Sequence, residues 1–127
     1  MPAHVLVIED DPDVRREMVS LLEAETPWVK VSSAGDGMEA LEILDEEEEP
    51  CLVLLDLMMP VMNGLEFLEA ARERGLASRA RVVLVSGYAQ LASHVKHPEV
   101  AGMLTKPFRA AELLDLVHQH CANGGQS

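Results

Sequence analysis

The 127-residue chain lacks any apolar run approaching the ~18–20 residues of a membrane span. Its opening residues, MPAHVLVIEDD, turn acidic where a signal peptide needs its cleavage site. A cytoplasmic location is the default expectation. Basic residues are scarce, 10 Lys and Arg against 22 Asp and Glu, for a formal net charge of −12. That balance removes the basic footprint of direct nucleic-acid binding. It would also be repelled by an anionic lipid surface. Cysteine is limited to Cys51 and Cys121, without metal or redox spacing. One opens an apolar run and the other closes a helical pattern, so both are expected to be reduced fillers. No internal repeat, linker or low-complexity stretch divides the chain. A single domain over 1–127 is expected, with its core at about 4–121 and an unanchored tail over 122–127.

What is present is an alternation of short apolar runs with helical patterns. Val5–Ile8, Leu52–Leu55 and Val82–Val85 are apolar throughout, as strands buried on both faces are. Trp28–Val31 reads as a half-buried second strand and Gly102–Leu104 as a fifth. Asp11 and Pro12 suit the N-cap and first position of a helix over 12–25. Its apolar stripe is Val14, Met18, Leu21 and Leu22, with Arg15, Arg16 and Glu17 outward. Asp36 and Glu39 have capping-box spacing for a second helix. Leu65, Leu68 and Ala71 mark a third, ending near Gly75. Leu91 and Val95 suggest a short fourth, limited by Pro98. Ala110, Leu113, Leu114, Val117 and Cys121 form the stripe of a fifth. The acidic run Asp45–Glu49 is expected to be a solvated helix end and loop. Five βα units with all-apolar strands imply an α/β fold with a parallel sheet covered by helices on both faces.

In such sheets ligands sit beyond the carboxyl ends of the strands. The polar residues gather there: Glu9 and Asp10 after the first strand, Asp56 after the third, Ser86 after the fourth, Lys106 after the fifth. Any one of them alone would be an ordinary solvated strand end. Converging carboxylates repel, by about 4 kcal/mol for a pair 4 Å apart at an effective dielectric near 20. A raised pKa or a bound cation relieves this, and hard oxygen ligands suit Mg²⁺. A lysine and a hydroxyl at the same rim suit phosphate. Together these groups describe phosphoryl transfer to an aspartate.

The acidic cluster Glu9-Asp10-Asp11, the segment LLDLMMPVMNG around Asp56, Ser86-Gly87 and LTKPF at Leu104–Phe108 occur in order, each at a strand end. In these residues the chain resembles a receiver domain of the bacterial response-regulator family of two-component signalling, the chemotaxis-regulator-like type, from Val5 to about Cys121. The resemblance implies a flavodoxin-like (βα)5 doubly wound sheet with strand order 2-1-3-4-5. It implies that Asp56 accepts a phosphoryl group from a histidine kinase or phosphotransfer protein. Glu9, Asp10, Asp56 and the backbone carbonyl of Met58 would hold Mg²⁺, and Asp11 is the less suited third acid because it caps a helix. Ser86 and Lys106 would bond phosphoryl oxygens, and the Lys106–Pro107 peptide would be cis. The message would leave by the face of the fourth helix, fifth strand and fifth helix toward an output protein. The output partner and homodimerisation are left open.

The chain departs from the family at Met103, where an aromatic switch residue usually stands three residues before the lysine. The segment from Ser86 to Lys106 is also about two residues short, which trims the fourth helix. Phosphorylation is therefore expected to move this face less, or differently, than in aromatic-bearing relatives. Met58 and Tyr88 flank the phosphoryl position and are expected to obstruct hydrolysing water. Met59 and Met62 read as packing and loop residues, and His94, His97, His118 and His120 as surface residues. Two other functions compete: a phosphorylation-independent receiver-like interaction module, and a Mg²⁺ phosphatase. Against the latter, Met58 occupies the position where such enzymes carry a second acid.

Overall fold

Strands that are apolar at every position have to be covered on both faces, and the sheet is built accordingly. The computed structural model describes residues 3–47, 49–59, 62–76, 80–87 and 100–121. Its strands are β1 (Ala3–Ile8), β2 (Val29–Ala34), β3 (Leu52–Asp56), β4 (Arg81–Ser86) and β5 (Val100–Thr105). Its helices are α1 (Pro12–Glu25), α2 (Gly37–Glu46), α3 (Gly64–Glu73) and α4 (Ala110–His120). Here α4 is the fifth helix expected from sequence. The expected fourth, over Leu91 and Val95, lies outside the described residues, as do Tyr88, His94, His97, Pro98 and the tail.

The five strands are parallel in the order β2-β1-β3-β4-β5. Side chains alternate across the sheet, giving two apolar layers. Leu6, Ile8, Val53, Leu55, Val82 and Leu84 meet residues of α2 and α3, among them Leu41 and Phe67. Val5, Val7, Leu52, Leu54, Val83 and Val85 meet residues of α1 and α4, among them Leu22, Leu113 and Val117. The chain passes from β1 outward to β2 and then returns to β3 on the other side. The order of travel therefore reverses between β1 and β3, and a crevice opens beyond their carboxyl ends.

β2 starts at Val29 and runs on to Ala34, past the expected Trp28–Val31. Ser32 and Ser33 hid this extension from an apolar criterion, but the ladder with β1 continues to Ile8↔Ala34. Trp28 instead lies against His118, with ring centroids 5.7 Å apart. β5 is likewise longer than Gly102–Leu104. Asn63 caps α3. Its side chain accepts from Glu66 N–H at 2.9 Å, and Glu66 accepts from Asn63 N–H at 3.0 Å.

Two expectations are corrected at the amino end of the sheet. Glu47, within the acidic run, is not merely solvated. It accepts a hydrogen bond from Ser32 Oγ at 2.7 Å and pairs with Lys30 Nζ at 3.1 Å. The Ser32 bond first, then Lys30, holds its carboxyl below the usual glutamate range. The cysteines are not reduced fillers either: Cys51 and Cys121 form a disulfide, with Cα atoms 5.7 Å apart. Their wide sequence separation hid the contact. The carboxyl end of α4 returns to the edge where β3 begins, and Cys121 caps the helix there.

This bond closes a span of 70 residues. Chain-entropy arguments give it a stabilisation of up to about 4 kcal/mol. A reductant is expected to lower the thermal midpoint of the wild type and to leave that of Cys51→Ser unchanged. Equal shifts in both proteins would contradict this.

Candidate functional site

The acidic loop after β1 is held by its own backbone. Glu9 N–H donates to Ala34 O at 3.0 Å, extending the β1–β2 ladder by one residue. Asp11 N–H donates to Glu9 Oε2 at 3.2 Å. The Asp11 side chain turns the other way, accepting from Asp13 N–H at 2.9 Å and Val14 N–H at 3.3 Å as the cap of α1. A carboxylate committed to capping has fewer lone pairs for a ligand, and Asp11 stands apart from the carboxylates grouped below. Glu9 is 1 % exposed, whereas Asp10 is exposed.

Asp56 is the last residue of β3, paired with Val85 of β4 and 4 % exposed. Met58 N–H donates to its Oδ1 at 3.1 Å. Gly64 brings the start of α3 against this strand end: a Cβ there would lie 3.1 Å from Asp56 O and Leu57 Cα. Ser86 ends β4, and its buried backbone carbonyl accepts from Lys106 N–H at 2.9 Å. That bond fixes the start of the β5–α4 turn, and the Lys106–Pro107 peptide within it is cis.

These elements bring together Glu9, Asp10 and Asp56, each offering a carboxylate oxygen, all within 4.8 Å of one another. The Lys106 ammonium lies 2.6 Å from Glu9 Oε1 and 3.7 Å from Asp56 Oδ2. Burial opposes the lysine charge, but Glu9, Asp56 and Asp10 outweigh it and raise Lys106 above its ordinary value. Asp56 is pushed up from 3.8 to about 7, first by burial and then by hydrogen bonding with Glu9 and Asp10. Apart from the ammonium, Glu9 Oε1 has no partner among the described residues. Three hard oxygen donors and an under-satisfied buried oxygen fit a small divalent cation such as Mg²⁺.

Met58 is 55 % exposed and Met103 41 % exposed, the latter on β5 opposite Leu84. Met59 is buried in the α2–α3 layer and Met62 packs on that layer. His118 is exposed and His120 partly so.

Arg15 was expected to face outward with Arg16. Arg16 does, but Arg15 folds back and donates from Nη1 to Glu9 O at 2.8 Å. A Cβ on Gly35 would stand 2.9 Å from that same nitrogen. The guanidinium thus occupies the space Gly35 leaves and clamps the carbonyl side of Glu9, opposite the clamp at Ala34. Helical periodicity placed Arg15 correctly on the wheel but carried no information about the reach of a long side chain in the first turn.

The family model of the response regulator receiver domain matches residues 5–118. The chain belongs to the response regulator receiver domain family. It is 36 % identical over 121 residues to the nitrate/nitrite response regulator NarL of Escherichia coli, covering 95 % of this chain and 56 % of that protein. It is 34 % identical over 122 residues to the protein Rrf1 of Nitratidesulfovibrio vulgaris, covering 96 % and 85 %. The chain thus spans little more than half of NarL. Among solved structures, chemotaxis regulator CheY4 of Vibrio cholerae superposes with a TM-score of 0.81 at 26 % identity, covering 94 % and 98 %. TrrA of Thermotoga maritima, in complex with Mg²⁺ and BeF, gives 0.78 at 26 % identity, covering 92 % and 97 %. The fold is flavodoxin-like. Receiver domains are signalling domains of two-component systems, a class distinct from metabolic enzymes. No helix among the described residues is long and apolar enough to cross a membrane.

Two outcomes follow for the receiver site. Between its ordinary value and about 7, native Asp56 keeps a proton that the unfolded chain releases. Stability therefore falls as pH rises through that window. Asp56→Asn is expected to gain up to about 4 kcal/mol over wild type at pH 8, with the gain vanishing near pH 4. Denaturant melts across pH check this, and a pH-independent difference would contradict it. Gly35→Ala, by displacing Arg15, is expected to weaken Mg²⁺ binding about tenfold with the fold retained. Titration calorimetry with circular dichroism checks it, and unchanged affinity would show that Arg15 does not set the loop.

Proposed function

We propose that this receiver domain accepts a phosphoryl group on Asp56 from a histidine kinase or phosphotransfer protein of the cytoplasm, in a Mg²⁺-dependent reaction that it assists itself. The observation that carries the reading is the grouping of the Glu9, Asp10 and Asp56 carboxylates within 4.8 Å, with Lys106 facing two of them. Glu9, Asp10 and Asp56, with the Met58 carbonyl, are the groups that would hold Mg²⁺. The cation would supply charge neutralisation at the phosphoryl oxygens. A relative, TrrA, carries Mg²⁺ in its complex with BeF.

In this reading an Asp56 oxygen attacks phosphorus in line. The bond from phosphorus to the donor nitrogen breaks, and the nitrogen keeps the electron pair. Lys106 leaves Glu9 and takes a phosphoryl oxygen as its partner, while the Ser86 hydroxyl donates to another. These displacements would alter β5 and the start of α4, because Lys106 joins them, and would bias that face toward an output partner. Autodephosphorylation would use the same groups with water as attacker.

The exposed Met103 favours a second reading, in which the domain binds partners without phosphate. One experiment separates the two. Incubation with Mg²⁺ and a small phosphodonor should add one phosphoryl mass to wild type and none to Asp56→Asn. No Asp56-dependent adduct would favour the second reading. Met58, 55 % exposed beside the Asp56 carboxylate, would shield a phosphoryl group from water. Met58→Ala is accordingly expected to shorten the adduct lifetime severalfold, followed by mass over time. An unchanged or longer lifetime would exclude that shielding.

A further inference from the structure

The elements carrying Asp56 and Lys106 are tied to each other at their far ends. Cys51 immediately precedes β3, whose last residue is Asp56. Lys106 precedes α4, whose C-cap is Cys121. The disulfide therefore closes a frame whose opposite corner is the 3.7 Å contact of Lys106 with Asp56. The two sulfurs are not equivalent. Cys121 is 1 % exposed and continues the stripe of Leu113 and Val117 that seats α4 on the sheet. Cys51 is only partly buried. Arg81 N–H donates to the Cys51 carbonyl at 3.1 Å.

We propose that Cys51 and Cys121 are a reversible redox input to this domain, exchanged with a low-molecular-weight thiol of the glutathione class, and that the bond sets how firmly the last turn of α4 is held to β3. In a reducing cytoplasm a protein disulfide is more often a sensing element than a permanent staple. Cys51 is the accessible partner and Cys121 the resolving one. On reduction, a small thiolate bonds to Cys51 Sγ and the electron pair of the broken bond leaves on Cys121, which takes a proton. A second small thiol then displaces Cys51 and forms the small disulfide. Oxidation is the reverse: two protein thiols and one small disulfide become one protein disulfide and two small thiols. Leu113 and Val117 keep α4 docked in either state, so the change is confined to its carboxyl end. This goes beyond phosphoryl transfer and does not depend on it.

The test uses the full chain in buffers of reduced or oxidised glutathione, with thiols counted by alkylation and mass, and backbone hydrogen exchange read over 110–121. Two thiols should appear together in the reducing buffer, and amides of the last α4 turn should then exchange about tenfold faster. Cys51→Ser should exchange at the fast rate in both buffers. A bond that survives reduced glutathione would overturn the proposal. So would equal exchange in the two wild-type forms, or a Cys51→Ser protein that still responds. None of these readouts needs a phosphoryl donor, so failure here is separate from failure of the Asp56 reading.

Discussion

Three carboxylates brought within 4.8 Å of one another beside the Lys106 ammonium form the constraint around which the molecule is arranged. Nothing in a hydrophobic core favours that grouping, and Coulomb repulsion opposes it. It persists because Glu9 and Asp56 are fastened by backbone pairing that does not depend on their charge. Glu9 follows a strand anchored on two neighbours, and Asp56 is itself a ladder residue paired with Val85. The reversal of strand order between β1 and β3 sets the two carriers side by side. The apolar layers on both faces of the sheet supply the burial free energy that offsets the repulsion.

The supporting parts fall into backbone clamps and close approaches. Arg15 and Ala34 grip Glu9 from opposite sides, and Met58 N–H steadies one oxygen of Asp56. Lys106 is delivered by a turn bonded to the Ser86 carbonyl, so the β4–β5 pairing fixes the lysine relative to the acids. The functional side chains therefore stand on rigid elements or within two residues of them, which holds the site in place.

Much of this was legible in the sequence, and the reasons differ by residue. Asp56 and Ser86 could be placed because each terminates an apolar run, a pattern that burial imposes on a parallel strand. Asp11 and Pro12 announced the start of α1 through capping chemistry. Arg15 escaped, since periodicity reports which face a Cα is on and not where a long side chain ends. The disulfide escaped for a different reason: it joins residues whose proximity depends on the whole circuit of the fold, and no local pattern encodes it. Glu47 was masked by its acidic neighbours, because only its contacts with Ser32 and Lys30 of β2 distinguish it from them. The second half of β2 was hidden by two serines that satisfy the ladder without contributing apolar area.

The Lys106–Glu9 pair also bears on what holds this domain together when its surroundings change. A cluster of acids with no internal counterion would need a metal ion merely to fold, as small metal-dependent domains do. Here the chain carries its own cation to the spot. A divalent ion would join acids that already have an ammonium beside them. Folding of the sheet would then not wait on an ion, since the acids already have a counterion. A domain so built would be the same folded object with or without an ion at these acids.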